Sequence, residues 1–476
     1  MQKPDFMPGP DAIEAQGITE AACAFVEKSR FEDFAGEALR IGRRCVLDGA
    51  GLFVSGSDEA SVVILADDAA AQGGREDALL LGRNARVPAP LAARVLGTAG
   101  HAHDWDDTQV SRDPRHIYGL LTHPTIPPLA TSLVISQMKG KVSGRDFMTA
   151  FLTGFEVESK ISEWMLPAHY KRGFHSSATV GTFGAVAAAS KLLGLTGTTL
   201  AHAFGIAATT AAGIRTSFGT MSKPLHVGRA CENGITAALL AQRGFTADPQ
   251  ALDGPWGFLA VLGGGVSPEK ISEGFGRTFS IVEPGVSIKP YPSGILTHQA
   301  MDAMLRLVTE HDVKPEEVER VEFHAGSNIL NPIRYPIARN HLQAKFSMAA
   351  LLAMLIVNRR AGREEFVDSF IQSPVMQDMQ ARISAHLDPV IEAQGTELIR
   401  SRIELFTRDG RKLVQEADTR YRGGPDNPMT DRELEEKVAA ATAGLLDDAR
   451  RERLFDIVWK IETLDDVSAL AEAIQP

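Results

Sequence analysis

The densest chemistry in the sequence lies in one stretch, His101-Ala102-His103-Asp104-Trp105-Asp106-Asp107-Thr108, with His123-Pro124 shortly after it. Two histidines, three aspartates and a threonine fall within eight positions. Placing such groups beside an apolar run (Pro88 to Ala99) is costly unless they pair, bind a ligand or stay hydrated. If the helix of that run continues through the stretch, His101, Asp104 and Thr108 share one face at i, i+3 and i+7. That face is expected to look into an active site. An imidazole titrates near neutrality and suits proton transfer. A nearby carboxylate can orient it or raise its pKa. The aspartates with His101 and His103 also suggest metal ligands, but Thr108 and His123-Pro124 fit a metal-free site equally well.

Four further stretches carry candidate groups. Gly173-Phe174-His175-Ser176-Ser177 puts His175 at a helix start beside a Ser cap. Ser222-Lys223-Pro224-Leu225-His226 puts a lysine before a proline, which favours extended backbone at Lys223. The helix that follows would offer an anion its N-terminus together with the lysine. Ile288-Lys289-Pro290-Tyr291-Pro292 is expected to open the first helix of a second domain, at a domain cleft. Ile329-Leu330-Asn331-Pro332, with Arg334-Tyr335-Pro336, reads as a rigid loop. Each has a plainer reading. A lone histidine such as His103, His116, His169 or His311 reads as a surface or capping residue, and a lysine before proline as a solvated turn. Asp106 and Asp107 are expected to cap, pair or face solvent. No phosphate loop, strand-linked G-x-G-x-x-G, H-E-x-x-H, zinc-type Cys/His spacing or G-x-S-x-G is present.

The elements that must position these groups read as helices in the first half. Apolar positions recur at helical spacing from Asp11 to about Lys28, from Phe31 to Phe53, Pro88 to His103, Pro127 to Met138 and Ser143 to Trp164. Ser57 to Ala71 is ambiguous. Ser176 to Leu193 is rich in Ala and Gly and reads as a central, closely packed helix. Near Gly263-Gly264-Gly265 the pattern changes. Strands are expected at Thr278 to Val282, Val318 to His324 and Arg402 to Phe406, with Asp409-Gly410 as a hairpin turn. Helices are expected at Leu296 to Glu310, Lys345 to Val357 and Val375 to Ala385. From Asp431 the tail returns to helices that could dock on the first domain. The predicted architecture is a large all-helical domain, residues 1–265 plus about 425–476, with an inserted α+β domain, 266–424.

At 476 residues the chain is too long for one core. Its net charge of -11 argues against nucleic acid as a partner, though a local cluster of lysines can still attract an anionic substrate. Three scattered cysteines suggest a reducing compartment. No signal peptide and no membrane-length apolar run is visible. A cytoplasmic protein is the simplest reading.

Taken in order, His101-x-x-Asp104-Trp-Asp-Asp-Thr108, His123-Pro124, Gly173-Phe-His175, Ser222-Lys223-Pro-Leu-His226 and Lys289-Pro-Tyr-Pro followed by His298 resemble the MmgE/PrpD family. That family includes 2-methylcitrate dehydratase, cis-aconitate decarboxylase and iminodisuccinate epimerase. The resemblance implies the same helical domain with an α+β insertion, a homodimer, and no metal or organic cofactor. It implies Asp104, His123, His175 and Lys223 as catalytic residues, and Thr108 and Lys289 as substrate-binding residues. It also places a tyrosine near Ile329 to Asn331, where this chain has Ile329 or Leu330, with Tyr335 a few residues later. The segment between Thr108 and His123 is longer than in the decarboxylase and carries Arg112, Arg115 and His116. His123-Pro-Thr-Ile-Pro stands where methylcitrate dehydratases have a His-Pro-Ser-Asp type of sequence.

The expected activity is a cofactor-independent lyase, a dehydratase or decarboxylase, acting on a small di- or tricarboxylic acid. Breaking a bond alpha or beta to a carboxylate sends charge onto that carboxylate, and the lysines and histidines would meet it. The runner-up is an epimerase on the same scaffold, with Lys223 as a second proton carrier. A non-catalytic carboxylate-binding scaffold is the remote alternative.

Overall fold

The computed structural model describes residues 16–34, 36–110, 121–165, 168–266, 271, 274–395 and 399–476. Arg112, Arg115 and His116 lie outside them. Two large hydrophobic cores organise the described residues. The first gathers residues from Ile18 to Ile288 together with the tail from Met429 to Ile474. The second gathers mainly Tyr291 to Leu405, joined by Tyr170 and Phe218. The architecture is two-domain and mostly helical, with a small sheet in the second domain.

The first domain packs long helices, among them α1 (Glu37–Gly56), α2 (Ala60–Gln72), α3 (Ala89–His101), α4 (Ile126–Lys139), α5 (Gly144–Trp164), α6 (Gly181–Leu193) and α7 (Ser222–Gln242). The ambiguous stretch after Ser57 is thus helix α2. The Ala- and Gly-rich helix α6 is buried from Gly181 to Ser190, as its small residues predict. Close approach matters most where α3 meets α7. A Cβ on Gly228 would stand 2.3 Å from the Arg94 carbonyl oxygen, and one on Gly97 would stand 2.6 Å from Cys231 Sγ. These two glycines let the helices touch along their backbones. That contact sets the C-terminus of α3, at His101, beside the N-terminus of α7, at Lys223. The tail helices α10 (Asp431–Ala441) and α11 (Asp448–Trp459) bury Leu434, Val438, Leu454 and Val458 in the first core.

The second domain is a four-stranded sheet in the order β2-β1-β3-β4, with β1 Val318–Ala325, β2 Ile383–Leu387, β3 Ser401–Thr407 and β4 Lys412–Glu416. β1 and β2 run parallel, and the other pairs are antiparallel. In β3 burial alternates strictly, with Ser401, Ile403, Leu405 and Thr407 inward, the period of a sheet with one covered face. Helices α8 (His298–Glu310) and α9 (Met348–Asn358) supply that cover. The turn at Gly410, with φ of 91°, closes the β3–β4 hairpin.

Two element expectations are corrected. Thr278 to Val282 is turn, not strand. Its backbone bonds go elsewhere: the Ser280 N–H donates to the buried Glu156 carboxylate (2.7 Å), and the Val282 N–H to the Phe279 carbonyl (2.9 Å). The helix expected over Val375 to Ala385 stops at Ala381, and Ile383 onward pairs with β1.

His341 clamps the two domains. Its Nδ1 lies 2.6 Å from Asp368 Oδ1, and its Nε2 lies 3.3 Å from Glu59 Oε2 in the first domain. The bond to Glu59 raises the His341 pKa against the effect of burial. A raised folded pKa stabilises the fold fully below the ordinary value of about 6.5, and that contribution is lost as pH rises through the folded value. His341→Gln is therefore expected to destabilise the protein more at pH 6 than at pH 8.5. Urea unfolding at the two pH values checks this. An equal loss at both would contradict the charged clamp.

Candidate active site

Helix α3 ends at His101, so the one-face arrangement expected for His101, Asp104 and Thr108 does not form. Asp104 instead takes a left-handed backbone, φ 54°, a conformation Asp tolerates better than most residues. The chain then reverses, and Thr108 exchanges two backbone hydrogen bonds with Ser287, both 2.9 Å. This turn aims several side chains of the stretch inward. His101, His103, Asp104, Asp106, Asp107 and Thr108 are all buried.

Asp104 sits between two ammonium groups. Lys289 Nζ donates to Asp104 Oδ1 (2.7 Å) and to the Asp104 carbonyl (2.8 Å), and Lys223 Nζ stands 3.2 Å from Oδ2. Burial opposes the Asp104 charge, but Lys223 and Lys289 outweigh it and hold the carboxyl well below the usual carboxylate range. Burial lowers the pKa of Lys223, with Asp104 opposing. Lys223 is not extended as its position before proline predicts. It lies in the first turn of α7, where Pro224 blocks no required hydrogen bond because the first N–H groups have no helical partner. Lys289 lies ahead of α8 on non-helical backbone and is fully enclosed.

Behind this pair lies a second layer. Lys223 Nζ is 2.7 Å from His101 Nε2, and His101 Nδ1 is 2.9 Å from both carboxylate oxygens of Asp106. His123 Nδ1 is 3.3 Å from Asp106 Oδ2 and 3.3 Å from Thr108 Oγ1, while its Nε2 is 3.7 Å from Asp104 Oδ1. His175 Nδ1 is 3.0 Å from His226 Nδ1. Burial depresses the pKa of all four imidazoles, to about 3 for His101 and about 4 for His226. They stand as neutral bases near neutrality.

Part of this cluster borders a narrow cavity of about 40 Å³ between the two cores. Asp104, Thr108, His123, His175 and Lys223 come from the first domain, and Lys289 from the link to the second. All six residues singled out from the sequence therefore line one space. The rest of the lining is mostly apolar, with Leu121, Phe218, Ile295, Leu296, Ile333 and Phe346, of which Phe218 and Phe346 lie beside Lys223. Tyr335 is not among the lining residues. Its hydroxyl donates to the Phe218 carbonyl (3.0 Å) and fixes that loop, while Pro332 and Ile333 face the cavity.

The ligand atoms of His101, Asp104, Asp106 and His123 lie within 4.8 Å of one another, a spacing that could hold a metal. Their donors are engaged already. Two ammonium groups take the Asp104 oxygens, and the Asp106 carboxylate meets two imidazoles. A divalent cation placed here would meet like charge from both lysines. The arrangement suits an organic anion instead, whose carboxylates the buried lysines would meet.

Sequence reasoning missed the anchoring role of Asp106 and the contributions of His226, Tyr170, Phe218 and Phe346. The i, i+5 spacing of His101 and Asp106 was the one available sign. His169 is not a surface residue but is buried against the Leu262 carbonyl (2.7 Å), and His103, expected with His101 to play a structural or supporting part, is buried against the Ser55 carbonyl (2.9 Å).

Comparison with known proteins matches residues 20–270 to the MmgE/PrpD N-terminal domain and residues 291–462 to the MmgE/PrpD C-terminal domain. The human cis-aconitate decarboxylase is 28% identical over 399 residues, 82% of this chain and 80% of that protein. The mouse cis-aconitate decarboxylase is 26% identical over 478 residues, 97% and 94% of the two chains. That of Aspergillus terreus is 24% identical over 497 residues, 98% and 97% of the two. Among the described residues, no single helix is long and apolar enough to cross a membrane.

Proposed function

Because the chain belongs to the MmgE/PrpD family, we propose that it is a lyase removing CO2 or water from a small di- or tricarboxylic acid. The proposal takes Asp104, His123, His175 and Lys223 as catalytic residues and Thr108 and Lys289 as substrate-binding residues. The observation that carries it is the pairing of Lys223 and Lys289 around Asp104, within a cavity that three histidines border or back. Carboxylates of the substrate bind against the ammonium groups. When the bond beta to a carboxylate breaks, the electron pair spreads onto that carboxylate, and the same cations stabilise it more strongly than they did the ground state. A histidine then gives or takes the proton. The apolar part of the lining supports decarboxylation over dehydration, because a carboxylate turned toward it has no partner to hold its charge, whereas CO2 carries none. The names of the relatives agree with this.

A second reading has its own support. The His123 and His175 rings stand 6.4 Å apart, and both border the cavity. Two such bases could remove a proton from one face of a carbon and return it to the other, as an epimerase requires. For the domain limits, residues 1–265 with about 425–476, and 266–424, remain our proposal, although the first core reaches on to Ile288.

The test is to incubate the purified protein with cis-aconitate, citrate-type and amino-dicarboxylate candidates, following mass and optical rotation. Loss of CO2 or water supports the lyase. A change of rotation at constant mass replaces it with the epimerase. Binding with neither change leaves only a carboxylate-binding scaffold.

A further inference from the structure

The Asp106 carboxylate is buried and touches two imidazoles on the same kind of atom. It meets Nδ1 of His101 at 2.9 Å and Nδ1 of His123 at 3.3 Å. A carboxylate accepts hydrogen bonds and cannot donate them. Next to Asp106 each neutral ring is best served by a proton on Nδ1, with the Thr108 hydroxyl, 3.3 Å from His123 Nδ1, as a second acceptor there, and each Nε2 then keeps a lone pair. The neighbours of each Nε2 differ. His101 Nε2 faces the Lys223 ammonium at 2.7 Å, a donor with no acceptor capacity while charged. His123 Nε2 is on the cavity side, toward Asp104.

From this geometry we infer that Asp106 is a positioning residue that fixes the tautomers of two histidines at once and gives each a separate task. Through His101 it orients Lys223. Nδ1–H donates to Asp106, so Nε2 is free to accept from Nζ, and the ammonium is held at the cavity rim beside Phe218. Through His123 it sets the site of proton transfer. His123 exchanges a proton with substrate at Nε2 only, and while Nε2 is protonated the resulting imidazolium is stabilised by the carboxylate behind Nδ1. His101 borders no part of the cavity lining among the described residues, so its effect on chemistry runs through Lys223. Asp107, the next residue, cannot share this work. Its carboxylate accepts from Thr125 Oγ1 (2.5 Å), and burial raises its pKa to about 7.

The tautomer assignment stands on the ligand-free protein, whereas the effect on turnover rests on the lyase reading above. The experiment separates them. Nitrogen NMR of the histidine-labelled protein at pH 7.5, with signals assigned by their loss in His101→Gln and His123→Gln, should show Nδ1–H and a bare Nε2 at both residues. In Asp106→Asn the amide has one acceptor oxygen for two imidazoles and presents N–H to the other, so at least one ring should switch to Nε2–H. Turnover on the substrate found above should fall by about 10²–10⁴-fold with KM within a few-fold, and Asp106→Glu should restore part of it. Finding Nε2–H at both histidines in the wild type overturns the inference. So does Asp106→Asn retaining turnover within a few-fold. If no candidate acid turns over at all, the lyase reading fails, and the NMR result alone still decides the tautomers.

Discussion

Replacing Lys223 by Met is expected to lower turnover by about 10²–10³-fold, the size of losing one donor aimed at developing negative charge. Met preserves length and apolar stem, so the side chain can still pack against Phe218 and Phe346, which lie 5.2 and 5.6 Å from Nζ to ring centre. What disappears is the cation. In the ground state that cation is partly neutralised by Asp104 at 3.2 Å. As charge moves onto the substrate carboxylate, attraction to the lysine grows, so the loss should fall on kcat as well as on KM. The substitution also leaves His101 Nε2 without its donor. That costs about 1–3 kcal/mol of stability by the usual size for an orphaned buried polar group, which is small enough for the variant to fold. Steady-state kinetics on the best substrate, with circular dichroism to verify folding, makes the comparison. Turnover within a few-fold of wild type would remove Lys223 from the mechanism.

Asp104→Asn is expected to destabilise the protein by about 3–5 kcal/mol, the range for removing one partner of a buried ion pair. The substitution is nearly isosteric, and Asn tolerates the left-handed backbone that Asp104 adopts at φ 54°. The change is therefore one of charge. It leaves the buried Lys223 and Lys289 ammonium groups facing each other with no anion between them. The backbone carbonyl of residue 104 still accepts from Lys289, but a dipole cannot offset two charges. Urea unfolding measures the loss. Adding Lys289→Met should recover part of it, because the double variant buries one fewer unpaired charge, so the two effects should be clearly non-additive. A loss below about 1 kcal/mol, or strict additivity, would show that the lysines shed their protons or find other partners, and that Asp104 does not hold the cluster together.

The fold was largely legible from hydrophobic period, because period is a local property. The stripe in α1, the small-residue run in α6 and the alternation in β3 each follow from side chains that must find one buried face. The errors fell where a distant partner overrode local preference. Thr278 to Val282 has strand-forming residues, yet the Glu156 carboxylate captures the backbone N–H of Ser280. Lys223 precedes a proline, yet its helix begins one residue earlier and tolerates the ring.

The site divides along the same line. Residue types along the chain made the available groups plain: a stretch crowded with imidazoles and carboxylates, two lysines next to prolines, and a histidine at the head of a small-residue helix. Those residue types marked the stretches as costly unless used, and it was the resemblance to the MmgE/PrpD family that nominated Asp104, Thr108, His123, His175, Lys223 and Lys289 among them. How they share the work follows from contacts between distant segments. The tertiary structure ends α3 at His101 and turns Asp104 left-handed, which makes Asp104 the bridge between two lysines from distant parts of the chain. It also draws Asp106 in beneath His101 and His123, and supplies apolar lining from Phe218, Ile333 and Phe346. The physical reason is that a charge's role inside a protein depends on which opposite charge lies within a few ångströms and how little water lies between. Those distances are set by the close contact of α3 with α7 and by the second domain closing over them, neither of which spacing along the chain records.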